Sequence, residues 1–97
     1  MEVRFEDDDL DRLEIDARFD GKLPQGVVRS YRKAMQFIRA AGDQRDLRTK
    51  PGWHLEKYRA KPGQFSLRLN DQYRLIVEFG ATSASRVVVI VAITDYH

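Results

Sequence analysis

Ninety-seven residues fit one domain, so the chain is expected to fold as a single unit over residues 1–97, and 42% hydrophobic with 33% charged residues excludes a disordered tail. The absence of cysteine excludes a disulfide framework, a thiolate nucleophile and Cys-type zinc or iron–sulfur sites, and suits a reducing cytoplasm. The formal net charge of +2 conceals a segregation: residues 1–20 hold nine acids against three bases, whereas residues 45–74 hold eight bases against three acids.

In chain order, Val3 and Phe5 alternate with Glu2, Arg4 and Glu6, the period-2 signature of a short strand. Leu10, Leu13 and Ile15 follow near helical spacing in an acid-rich stretch. No basic and apolar leader opens the chain, so no secretion signal is expected. Pro24 opens the clearest helix, because Val27, Val28, Tyr31, Ala34, Met35, Ile38 and Ala41 recur at three- and four-residue steps, and Gly42 is positioned to end it. Residues 43–52 are polar and punctuated by Pro-Gly, which marks a connection.

The period then changes to two. Residues 53–58, 65–69 and 73–79 alternate apolar with polar, and 87–93 form a continuous apolar run of seven, a buried strand and far short of the roughly 20 residues that a membrane helix needs. Short linkers between these runs favour antiparallel neighbours. The expected fold is α+β: one or two N-terminal helices packed on one face of a twisted antiparallel sheet of about four to five strands.

On that sheet Glu56, Arg68 and Arg74 alternate with apolar neighbours, and some of them should project from the face away from the helices. Arg45, Arg48, Lys50, Lys57, Arg59 and Lys61 belong to the same basic block, with Tyr58, Tyr73 and Tyr96 interleaved. Cations with stacking rings are how single-stranded RNA is held. His54, beside Trp53 on an expected strand, reads as an ordinary half-buried residue. Two histidines with no metal-ligand spacing give no metal site, and no cofactor is called for. The chain closes on Asp95, Tyr96 and His97 directly after its most apolar strand, so carboxylate, phenol and imidazole are delivered to the sheet's end with little slack.

The stretch Pro62-Gly63-Gln64-Phe65-Ser66-Leu67-Arg68-Leu69-Asn70-Asp71-Gln72-Tyr73-Arg74-Leu75 and the ending Asp95-Tyr96-His97 resemble the HigB-type toxins of bacterial toxin–antitoxin modules, within the RelE group of messenger-RNA-cleaving toxins. Leu55-Glu56-Lys57-Tyr58-Arg59 resembles the strand that in this family carries a histidine and a basic residue, with Arg59 at the basic position and Glu56 where many members have histidine. The resemblance implies a RelE-like fold and a ribosome-dependent endoribonuclease that cuts messenger RNA in the decoding site and inhibits translation. It implies as partners a helix-turn-helix, HigA-like antitoxin, the 70S ribosome and messenger RNA, with DNA reached only through the antitoxin and no membrane. The catalytic residues would be Glu56, Arg59, Arg74, Asp95, Tyr96 and His97: Arg59 and Arg74 clamping phosphate, His97, Asp95 and Glu56 moving protons, Tyr96 stacking on the nucleotide. RNA would be contacted by Arg45, Arg48, Lys50, Lys57, Lys61, Arg68, Asn70 and Tyr73. The alternative reading is a non-catalytic RNA- or ribosome-binding module using the same basic face.

Overall fold

The computed structural model describes residues 1–49 and 51–95. Its elements run β1 (Glu2–Phe5), α1 (Asp8–Ile15), α2 (Gln25–Ala40), α3 (Gln44–Arg48), a 3-10 turn (Pro51–Trp53), β2 (Glu56–Lys57), β3 (Gln64–Arg68), β4 (Tyr73–Ala81) and β5 (Arg86–Asp95). The five strands form one sheet in the order β1-β5-β4-β3-β2.

The expected α+β architecture is present, with one difference: the sheet is mixed. Strands β2 to β5 are antiparallel neighbours, as their short linkers require, but β1 lies parallel to β5, pairing Val3 with Val88 and Phe5 with Ile90. Linker length could speak only for consecutive strands. β1 reaches β5 across almost the whole chain, a separation that leaves parallel pairing open.

The helices form where capping and periodicity agree. Asp7 caps α1, its carboxylate accepting from the Asp9 N–H at 2.8 Å, and Asp8, Asp9 and Asp11 lie in the first turn, where the helix dipole favours negative charge. Leu10 and Leu13 turn inward, while Ile15 is 75% exposed. On α2, Val27, Val28, Tyr31, Ala34, Met35 and Ile38 are all buried, the stripe the three- and four-residue spacing requires. They pack on Leu67 of β3, Leu75 and Val77 of β4, and Val88 and Ile90 of β5 in one continuous core. Each such fully buried side chain contributes about 1.5–3 kcal/mol.

The polar groups of this helix layer are satisfied internally. The Arg32 guanidinium donates to the carbonyls of Leu13, Asp16 and Phe19 at 3.0–3.1 Å, closing the C-terminal end of α1. Arg39 holds Glu14 through two bonds of 2.6 Å, and the buried Tyr31 hydroxyl donates to the Leu10 carbonyl at 2.7 Å.

The strand expected over 53–58 is much shorter than its alternation suggested. Trp53 ends the 3-10 turn and stacks on Phe37 of α2, with ring centres 6.1 Å apart and planes 13° apart. His54 then takes a left-handed backbone, φ 47°, which breaks the extended run, and only Glu56 and Lys57 pair with β3. Alternation here reflects Trp53 and Leu55 packing on the core from a bent segment.

Candidate active site

Strand pairing fixes which side chains share the face away from the helices. Residues opposite one another in adjacent strands point the same way, so Glu56, Ser66, Ile76 and Ala92 make one row and Arg68, Arg74 and Thr94 the next. The opposite parity, with Leu67, Leu75 and Val77, belongs to the core. Two arginines therefore stand side by side on adjacent strands, where like charges repel unless something anionic lies between them.

These rows floor a cavity of about 190 Å³ lined by His54, Glu56, Lys57, Tyr58, Arg59, Ser66, Arg68 and Arg74. Four cations face one carboxylate. Arg68 is half-buried, and its Nε is enclosed without a hydrogen-bond partner, alone in this among the described side chains. A buried N–H left unpaired carries a desolvation cost of roughly 1–3 kcal/mol, which an acceptor entering the cavity would remove. Among the described residues no ion pair joins Glu56 to Arg59 or Arg68 within 4.0 Å, whereas Arg4–Glu2, Arg12–Asp16, Arg39–Glu14 and Arg45–Asp43 do pair.

Arg74 is held in place by the turn before it. Its Nη1 donates to the carbonyls of Asn70 at 2.5 Å and Tyr73 at 3.2 Å, while the Asn70 side chain accepts from the Gln72 and Tyr73 N–H groups at 2.8 and 2.7 Å. Asn70 thus builds the β3–β4 turn through an Asx-type bridge and orients Arg74 through its own carbonyl. On the far side Gln64 donates to Glu78 at 2.7 Å, so this carboxylate is already occupied.

Of the residues picked from sequence, Glu56, Lys57, Arg59, Arg68 and Arg74 meet in the cavity, and Tyr58 joins them. Asn70 stands behind Arg74. Tyr73 is half-buried and packs against the core. Asp95 pairs with Tyr73, hence on the helix-side parity, and accepts from Gln72 Nε2 at 3.0 Å. Arg45 and Arg48 line a different cavity, of about 250 Å³, with Asp43, Gln44 and Arg86. Burial would raise the Asp43 carboxyl, but the backbone N–H groups of Arg45 and Asp46 together with the Arg45 guanidinium outweigh it and hold the carboxyl below its ordinary range. Lys61 is exposed in the β2–β3 connection. Lys50, Tyr96 and His97 lie outside the described residues. Sequence reasoning missed His54 and Ser66 as cavity residues; the Pro51-Gly52 pair just upstream of Trp53-His54 was the available signal that this histidine sits on a bend.

A helix layer on one face of a mixed five-stranded sheet is an α+β arrangement consistent with a RelE-like toxin, and the arginine-lined cavity opens on the other face. The model of the HigB-like toxin family, described as the RelE-like toxin of the type II toxin–antitoxin system HigB, matches residues 3–97, and the chain belongs to that family. No relative among curated proteins matches the chain. Membership implies a toxin that has an antitoxin partner. Among the described residues, no helix is long and apolar enough to cross a membrane.

Proposed function

We propose that the protein is a ribosome-dependent endoribonuclease, a single toxin domain over residues 1–97, which cleaves messenger RNA in the decoding site and so inhibits translation in the cytoplasm. The observation that carries this reading is the cavity with its unpartnered Arg68 Nε beside Arg59 and Arg74. Attack of a ribose 2′-hydroxyl on the adjacent phosphate builds negative charge on the phosphoryl oxygens, and preorganised cations are the side chains that stabilise such charge. Arg59, Arg68 and Arg74 are the phosphate clamp. Tyr58 offers a ring to a splayed base, and Lys57 extends the cationic lining.

Glu56 is a proton-transfer group of the same cavity. His97, the acid for the leaving oxygen, and Tyr96, the stacking ring, rest on the family resemblance, and Asp95 reaches the site only through a change from its bond to Gln72. Arg45, Arg48 and Arg86, about one strand length away along β5, suit contacts with ribosomal RNA backbone. The partners are the 70S ribosome with its messenger RNA and a helix-turn-helix, HigA-like antitoxin, through which alone DNA is approached.

The experiment is cleavage of a defined messenger RNA by the purified protein, with and without ribosomes. New 5′ ends that appear only with ribosomes are the expected result. Inhibition of translation with intact messenger RNA would mean that the basic face binds without cutting.

A further inference from the structure

We infer that His54, a residue outside the strand on which the family carries its histidine, is the catalytic proton acceptor of this cavity; the inference rests on the nuclease reading above. Three observations converge on it. His54 lines the same cavity as Glu56, Arg59, Arg68 and Arg74, it is exposed, and its side chain makes no hydrogen bond to any other described residue. Its backbone holds φ at 47°, a left-handed conformation that costs any side chain with a Cβ and is retained where something over-determines it. Nothing in the packing demands a histidine there. The 3-10 turn is anchored by Trp53 on Phe37 and the following segment by Leu55 on the core, so glycine at 54 would satisfy the bend with less strain.

His54, two residues before Glu56, stands at the wall of the cavity whose floor holds Ser66, Arg68 and Arg74. Every other described lining group is a cation, a carboxylate, a hydroxyl or a phenol, and imidazole is the side chain that exchanges a proton near neutral pH. In the step, the 2′-oxygen forms its bond to phosphorus while its proton passes to the free imidazole nitrogen of His54. The bond from phosphorus to the 5′-oxygen breaks, and that oxygen leaves with a proton from water. A 2′,3′-cyclic phosphate and a 5′-hydroxyl result, and the hydroxide left by that water takes the proton from His54, restoring the free imidazole. The ionisable groups facing His54 are Glu56, Lys57, Tyr58 and Arg59 from β2 and the segment after it, Arg68 from β3 and Arg74 from β4.

The test is single-turnover cleavage of ribosome-bound messenger RNA across pH by the wild-type protein and by His54→Gln and His54→Gly. His54→Gln should cleave about 10²–10⁴-fold more slowly at neutral pH and lose the fall in rate on the acid side that a protonating base produces. His54→Gly should be equally impaired yet melt at or above the wild-type temperature, because glycine relieves the backbone. Wild-type rates and an unchanged pH profile in a folded His54→Gln protein would overturn the inference while leaving the nuclease reading standing. Absence of cleavage by the wild-type protein itself would overturn both.

Discussion

Two groups of arginines in this small protein are treated in opposite ways. In the helix layer, Arg32 spends its guanidinium on three carbonyls at the end of α1, and Arg39 is locked to Glu14 by two short bonds that also hold the Arg39 charge more firmly than usual. Across the sheet, Arg68 carries an enclosed Nε with no acceptor and stands beside Arg74 on the neighbouring strand. An arginine whose donors are filled by the fold is structural, and one whose donors are buried and empty is held ready for an anion. The contrast teaches that charge on its own did not mark the site. Arg32 and Arg39 lie in a base-rich stretch of the chain just as Arg68 and Arg74 do, and satisfaction of their hydrogen bonds separates the two roles.

The contrast can be broken or sharpened by substitution. Arg74 combines both roles, since its Nη1 braces the β3–β4 turn while its side chain lines the cavity. Arg74→Ala is therefore expected to lower ribosome-dependent cleavage by about 10²–10³-fold, as loss of a charge stabiliser does, and also to lower the melting temperature by a few degrees. Thermal melting followed by circular dichroism, beside the cleavage assay, measures both. Arg32→Ala should do the reverse. Uncapping three partly buried carbonyls is expected to cost about 2 kcal/mol, about 10 °C of melting temperature in a domain of this size, with cleavage by the still-folded fraction unchanged.

A smaller effect is expected at Tyr31, whose hydroxyl is buried against the Leu10 carbonyl, with burial holding its ionisation far above the ordinary range. Tyr31→Phe should cost about 1 kcal/mol in urea unfolding and leave activity intact.

The smallest expected effect is at Asp16, whose carboxyl is held below its ordinary range, first by the Arg18 backbone N–H, against burial, and then by Arg12 and Arg32. A carboxyl lowered in the folded state adds stability above its unfolded pKa, and that stability is lost as pH falls through the folded value. Asp16→Asn should accordingly melt slightly below wild type near pH 7 and converge with it as the pH falls below the ordinary carboxylate range. A constant offset across that range would show that Asp16 acts by shape and not by charge.

Much of this layout was legible in the chain. The stripe on α2 and the alternation over β3 and β4 are dictated by periodicity, and both elements appear where that periodicity puts them. The motif around Gln64 to Arg74 carried the family, and with it the two adjacent arginines. What was not legible depends on distant contacts. The parallel seat of β1 on β5 is a pairing between chain ends. The place of His54 depends on Trp53 finding Phe37, which converts an apparent strand into a bend. Tyr73 alternates like a surface aromatic but meets the core, and the unbroken apolar run of β5, with its register shift between Ile76 and Val77 on β4, hides which face Asp95 takes.

The most direct measurement is made on Arg68→Ala, with melting temperature and single-turnover cleavage on ribosomes read from the same preparation, the melting repeated in inorganic phosphate. The variant should melt at or above wild type, because an unsatisfied buried donor and a like-charge neighbour are both removed, and should cleave about 10²-fold or more slowly. Phosphate should raise the melting temperature of the wild-type protein, as any ligand of the folded state does, and leave Arg68→Ala unmoved. An Arg68→Ala protein that unfolds readily, or one that cleaves and responds to phosphate like wild type, would contradict the claim that this arginine is held empty for a phosphate.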